Sequence, residues 1–202
     1  MIKRQLTASD IHEITRIHLK AFKDFFLSQM GDGFLNFYYK CFLKDVNGYG
    51  VGIFDEGSQL LGYSVATTHS KGFNRNMIVK NFVPFFIVVV KLLFSKPKAL
   101  IRLFRNLSKN TKNTNINDDG DYAELFSIAV DPQKQGAGFG KLLLADVEET
   151  IQSRGCKRIT LTTDFYNNSS VISFYEKMGY SVFYEFTTYP NRKMYKMIKT
   201  LN

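Results

Sequence analysis

Apolar positions at the start of the chain recur with helical spacing. After Ser9 and Asp10, the residues Ile11, Ile14, Ile17/His18 and Ala21/Phe22 fall on one face, which predicts a helix opened by a polar cap. Gly31-Asp32-Gly33 interrupts the pattern, and Phe34 to Leu43 resumes it as a second helix. From Tyr49 the character changes. Tyr49–Phe54 and Leu60–Ala66 read as strands joined by the turn Asp55-Glu56-Gly57-Ser58. Further along, the pattern predicts a strand over 122–130, a helix over 138–153, a strand over 158–163 and a short helix over 169–178. Strands near 180–187 and 192–199 complete the chain, and no internal repeat is present. The order is helix–helix–hairpin–(insert)–β–α–β–α–β–β.

The most informative junction lies between the strand Leu125 to Val130 and the helix that follows. The chain turns at Asp131-Pro132 and is expected to enter a helix whose first turn carries Gln135, Gly136, Ala137, Gly138 and Gly140. Glycine lets a backbone approach a ligand closely. A helix start presents unpaired N–H groups and partial positive charge, which suits a phosphate. Strand, glycine-rich turn and helix therefore read as an anion cradle. It is not a P-loop, since Gln135 stands where the first glycine belongs and Leu142 where the hydroxyl belongs. A dinucleotide fingerprint fails as well, because Lys141 occupies its third-glycine position and the motif lies late in the chain.

Gln135-Gly136-Ala137-Gly138-Phe139-Gly140 resembles the [QR]-x-x-G-x-[GA] pyrophosphate loop of the Gcn5-related N-acetyltransferase (GNAT) superfamily. The resemblance extends over some 60 residues: the Ala-Val-Asp-Pro turn, Asn168 after the next strand, and Phe174-Tyr175-Glu176-Lys177-Met178-Gly179-Tyr180. It implies an α/β fold with a mixed, mostly antiparallel central sheet flanked by helices, into which this chain sets a basic helical insertion before the cofactor strand. It also implies acetyl-CoA, held by Gln135, Gly136, Ala137, Gly138, Phe139, Gly140 and Lys141 at the pyrophosphate. Ile128, Ala129 and Val130 would lie along the pantetheine arm, with Asn168 hydrogen-bonding it. Tyr175 would protonate the departing thiolate. Glu124 is the candidate general base, because it precedes Ala129 by five residues, as the catalytic Glu does in the histone-modifying members. In amino-terminal acetylating members a Glu lies twelve residues before the Tyr; here that position is Thr163.

Length and charge refine this picture. With 202 residues, 45% of them hydrophobic, the chain can bury one substantial core, so a single domain over 1–202 is expected. Ten of its 27 Lys and Arg, and none of its 18 Asp and Glu, lie between Lys71 and Lys112. The positive excess behind the net charge of +9 therefore belongs to an inserted segment, 70–117. That segment also carries the apolar run Phe82–Val90 and an amphipathic piece, Leu100, Leu103/Phe104 and Leu107. A membrane-spanning helix needs ~20 apolar residues. The run between Lys80 and Lys91 is half that, and Pro84 is expected to interrupt it. Three readings remain: a helical insert with its apolar face on the core, a lid that attracts an anionic substrate, and peripheral contact with an anionic membrane through 80–107. A homodimer contact would use the same apolar residues. No motif supports nucleic-acid binding. Residues 111–121 read as an exposed loop. No signal peptide is visible, and Cys41 and Cys156 follow neither a metal nor a disulfide pattern, so a cytoplasmic protein without a metal site is expected.

The expected activity is transfer of acetyl from acetyl-CoA to a primary amine. An alkylamine with a pKa near ~10.4 is mostly protonated at neutral pH, a barrier of roughly 4 kcal/mol to the free nucleophile. A carboxylate that takes the proton is typically worth ~10²–10⁴ in rate. The favoured acceptor is a small molecule, with a nucleotide-linked amino sugar first. The alternatives are a protein lysine or N-terminus, and a non-catalytic acyl-CoA-binding module.

Overall fold

The structure, a computed structural model, describes residues 1–23, 25–108, 111–112 and 118–201, and of 106–108, 111 and 112 the backbone alone. Strand β1 (Ile2–Gln5) leads into a 3₁₀ turn and helices α1 (Ile11–Ala21), α2 (Phe26–Met30) and α3 (Asp32–Lys44). The hairpin β2 (Gly48–Phe54) and β3 (Leu60–Thr67) follows. Three helices come next, α4 (Phe73–Lys80), α5 (Phe82–Ser95) and α6 (Pro97–Ser108), with the two-residue strand β4 (Thr111–Lys112). The remainder is β5 (Ala123–Val130), α7 (Phe139–Ser153), β6 (Arg158–Asp164), α8 (Ser169–Lys177), β7 (Ser181–Thr188) and β8 (Arg192–Thr200).

The strands form one sheet in the order β1-β2-β3-β5-β6-β8-β7-β4. Every pairing is antiparallel except β5 with β6. One face packs on α1, α3 and the three inserted helices, through Ile14, Ile17, Leu35, Tyr39 and Leu92. The other packs on α7 and α8, through Leu143, Leu144, Val147 and Tyr175. The mixed, mostly antiparallel sheet between helical layers is the expected class.

Several elements depart from the sequence reading. β1 carried no strand signal because all four of its side chains are exposed, leaving no alternation to read. The one-turn helix α2 is too short for its period to register. Helix α7 begins at Phe139, so Gln135 to Gly138 lie in the loop before it and only Gly140 falls in the first turn. Pro84 does not interrupt α5; it sits in the helix's first turn, where a missing N–H costs nothing. Thr111 and Lys112 pair with β7 instead of forming a loop, while 113–117 lie outside the described residues. No single helix among the described residues is long and apolar enough to cross a membrane. α4 and α5 reach that length only together, across a 93° bend.

Candidate acetyl-transfer site

The site begins with a defect in β5. Opposite β3, Val65 pairs with Ser127 and Ala66 with Leu125, so Phe126 is an extra residue, a β-bulge. Leu125 packs toward α7, Phe126 toward α3, and Ile128 and Val130 toward α7 again. On its other side β5 meets β6 only through Ala123, Glu124 and Leu125, opposite Ile159, Thr160 and Leu161. Beyond that point β6 continues to Asp164 paired with β8 alone. The strands part, and the β6-facing backbone of β5 from Phe126 to Val130 has no strand partner. An unpaired strand edge inside a sheet can hydrogen-bond an extended amide-bearing ligand as if it were another strand. Ile128, Ala129 and Val130 all lie in this segment.

At the end of β5 the backbone is anchored before the loop. The Asp131 carboxylate accepts from the Gln133 N–H (3.2 Å), from Arg16 Nη1 (2.8 Å) and from Lys20 Nζ (3.3 Å) of α1. Burial pushes this carboxyl up, but the hydrogen bonds from Arg16, the Gln133 amide and Lys20 outweigh it and hold it below the usual range. The loop then takes two left-handed residues, Gly136 (φ +86°) and Gly138 (φ +78°). A Cβ at either would meet nothing within 4 Å, so backbone conformation rather than crowding asks for glycine there, and the space above is open. Gly138 caps α7 without a side chain. The first N–H groups of α7 are therefore left for solvent or an anion. Lys141 is exposed beside them. At Gly140 a Cβ would lie 3.9 Å from the Phe174 ring, which ties the loop to α8.

Tyr175 follows on α8. Its ring packs against Phe174 (5.2 Å) and Tyr180 (5.7 Å), and its hydroxyl has no hydrogen-bond partner among the described residues. Burial pushes the phenol well above its ordinary range, so it stays protonated at neutral pH. Asn168, just before α8, donates through Nδ2 to Thr163 Oγ1 (2.6 Å) and to the Asp164 carbonyl (3.0 Å). Both its donors face the end of β6, which leaves Oδ1 as the free acceptor.

Glu124 stands apart from these groups. Strand alternation turns it away from α7, and its Oε2 accepts from the Ser70 hydroxyl. Its Oε1 meets Lys196 Nζ at 2.6 Å. Lys196 belongs to β8, so this ion pair reaches across β6. The two residues expected to move protons thus lie on opposite faces of the sheet, which communicate where β5 and β6 part. Three groups around this site carried no sequence signal: the Lys196 and Ser70 partners, the Arg16–Lys20 anchor, and a buried hydroxyl chain. In that chain His18 Nδ1 meets Tyr39 Oη at 2.6 Å, and Tyr39 and Tyr63 are 2.8 Å apart. Tyr63 in turn lies 2.9 Å from Ser127 Oγ, on the bulge. All are non-local contacts, invisible to spacing. At the rim Arg102 of α6 donates to Gln29 Oε1 (2.9 Å) and lies over Phe26, while Arg192 pairs with Asp164 and lies over Phe25. Burial and then the nearby Arg192 charge push the Arg102 guanidinium below its ordinary value.

The profile of the Acetyltransferase (GNAT) family matches residues 99–180. The solved PaiA N-acetyltransferase of Thermoplasma acidophilum, in complex with coenzyme A, superposes with a TM-score of 0.58 at 15% identity. That superposition covers 98% of each chain. The chain has the GNAT fold. The resemblance read from the glycine-rich loop is borne out by both comparisons. Among curated proteins, the glucosamine 6-phosphate N-acetyltransferase of Trypanosoma brucei brucei is 38% identical over 53 residues, 26% of this chain and 33% of the relative. The [Ribosomal protein bS18]-alanine N-acetyltransferase of Haemophilus influenzae is 39% identical over 61 residues, 30% of this chain and 40% of the relative. The chain thus spans a third to two fifths of the length of these relatives, whose acceptors are a sugar phosphate in one case and a protein in the other.

Proposed function

We propose that this chain is an acetyl-CoA-dependent N-acetyltransferase for a small, phosphate-bearing amine, with a nucleotide-linked amino sugar as the first candidate. The observation that carries the proposal is the unpaired edge of β5 leading directly to the uncapped, glycine-rich start of α7. An extended amide arm fits the first and a pyrophosphate the second. Gln135, Gly136, Ala137, Gly138, Phe139, Gly140 and Lys141 would hold the pyrophosphate, Ile128, Ala129 and Val130 the arm, and Asn168 Oδ1 would accept from it. When bound, acetyl-CoA supplies the activated thioester.

The chain's own task is to move two protons as the N–C bond forms and the C–S bond breaks. Glu124 takes the proton of the acceptor ammonium. To do so, its Oε2 exchanges the Ser70 hydroxyl for the ammonium or an intervening water, while Lys196 keeps Oε1 in place. Tyr175 gives its hydroxyl proton to the leaving sulfur and is restored, through solvent, by the second proton that the nitrogen sheds as the amide forms, a role suited to a phenol that burial keeps protonated. An anionic acceptor is supported by the charge around α6: Arg192 lies close enough to perturb Arg102, and the whole segment 71–112 lacks acids. The absence of a carboxylate at Thr163 weighs against an amino-terminal acceptor.

The test measures CoA release from acetyl-CoA with pooled amines: nucleotide amino sugars, free amino sugars, amino acids, peptides and polyamines. Diphosphate-linked sugars should outperform free ones; equal turnover removes the phosphate preference. Glu124→Gln should lower kcat about 10²-fold or more near neutral pH, with the deficit shrinking as pH approaches the amine pKa. Tyr175→Phe should slow turnover about tenfold while leaving acetyl-CoA affinity unchanged. Acetyl-CoA binding without turnover in any pool would instead mark a non-catalytic acyl-CoA-binding module.

A further inference from the structure

Helix α5 is apolar on two sides. Phe85, Val88, Val89 and Leu92 form one stripe and pack into the core. Phe82, Val83, Phe86, Ile87, Leu93 and Phe94 form a second stripe, and all are at least 50% exposed, Phe94 reaching 83%. At 100° per residue these six fall within a 140° arc. On the neighbouring α6, Ile101 (54%) and Phe104 (48%) add to the exposed apolar surface. Scattered exposed apolar residues are ordinary, but a continuous stripe of this kind marks a contact surface.

We infer that the outer stripe of α5 docks on an anionic lipid surface. The surrounding charge selects that occupant. Lys91 on α5 and Lys98 on α6 are exposed, and neither has an ion pair among the described residues, while Lys96, also exposed, turns its ammonium toward Gly31. The segment from Lys71 to Lys112 contains no acid at all. A second copy would set this acid-free surface against itself, and like charges across an interface cost affinity. The stripe also consists of large apolar side chains along one flank of a helix, which suits the headgroup–acyl boundary. The inner stripe sets the mode of contact: held in the core, α5 cannot turn to insert end-on. At 14 residues it is about 21 Å long, short of a bilayer core. It lies in the interface plane, with its phenylalanines in the boundary and its lysines at the headgroups. α6, which packs beside it, also touches α2 through Arg102 and Gln29, so docking brings the rim of the acetyl-transfer site near the surface. The inference does not rest on the acetyl-transfer reading.

Vesicle flotation tests it, with phosphatidylcholine alone and with phosphatidylglycerol added, at low and high salt. The wild-type chain should float with the anionic vesicles, fail to float with the neutral ones, and be released by salt. Neutralising Lys91 and Lys98 to Gln removes about 1 kcal/mol per charge, so binding should weaken about thirtyfold. Phe86→Ser with Phe94→Ser should weaken it at least tenfold, without changing the melting temperature, because both side chains are exposed. Absence of flotation overturns the inference. So does flotation that survives the Phe substitutions, which would reduce the effect to unspecific charge attraction. A concentration-dependent dimer in sedimentation that the Phe substitutions abolish, with no flotation, would identify a second copy as the occupant and equally overturn it.

Discussion

His18 is 3% exposed, and its imidazole has exchanged water for the hydroxyls of Tyr39 and Tyr63. Burial lowers its pKa from 6.5 to about 4, so the folded protein holds it neutral. The unfolded chain then binds the extra proton at a higher pH than the folded chain does. Stability contributed by the neutral ring is fully present above 6.5 and is lost as pH falls toward 4. At 1.36 kcal/mol per pKa unit the loss amounts to roughly 3 kcal/mol. Denaturant unfolding at pH ~7 and ~4 should show the wild type losing about that much more stability than His18→Gln. Equal losses would mean that the ring is solvated and that the hydroxyl chain beneath Ser127 is open to water. The same histidine marks a limit of sequence reading. Its helical spacing with Ile14 and Ile17 was visible, but its partners lie 21 and 45 positions away, and nothing local announces them.

Among the elements, the junction from β5 to α7 was the most legible, because its determinants are local. A strand, an Asx-anchored turn and two left-handed glycines are written in consecutive residues, and Gly136 and Gly138 adopt the conformation that their identity suggests. Gly138→Ala tests the junction. With φ at +78° the substitution should cost about 1 kcal/mol of stability. If the loop holds a pyrophosphate, it should also weaken CoA binding about tenfold in calorimetric titration, by re-aiming the N–H groups. A stability loss with unchanged CoA affinity would remove the loop from the cofactor site. What surrounds the junction was not legible. The Arg16–Asp131 pair joins residues 115 positions apart, and the bulge at Phe126 depends on the register with β3. β1 is an edge strand whose pairing, not its pattern, makes it a strand. The outer stripe of α5 was legible only as one of several readings, because the pattern of a helix apolar all round does not say which side finds the core.

At the scale of the molecule, the sheet has one short joint. β5 and β6 share three registered pairs, whereas β3–β5 and β6–β8 run nearly the full length of their strands. The opening that suits a cofactor arm therefore sits where the two halves of the sheet are least bound by backbone hydrogen bonds. The Glu124–Lys196 pair reaches over that joint, with side chains only 15% and 8% exposed. Removing one member of a buried pair leaves the other without a counter-charge, so Lys196→Met should destabilise by about 3 kcal/mol. Together with Glu124→Gln the two losses should not add, the coupling being about 1–3 kcal/mol. This pair also separates the two roles open to Glu124. As a pure clamp, either substitution should reduce activity only as far as it loosens the joint, with an unchanged rate–pH profile. As a base, Glu124 keeps its function in Lys196→Met. Turnover in Lys196→Met should then fall far less than the 10²-fold or more expected of Glu124→Gln. A destabilised Lys196→Met that keeps most of its turnover, beside a Glu124→Gln that loses it, assigns both tasks to one carboxylate: it ties the halves of the sheet together beside the opening and takes the proton there.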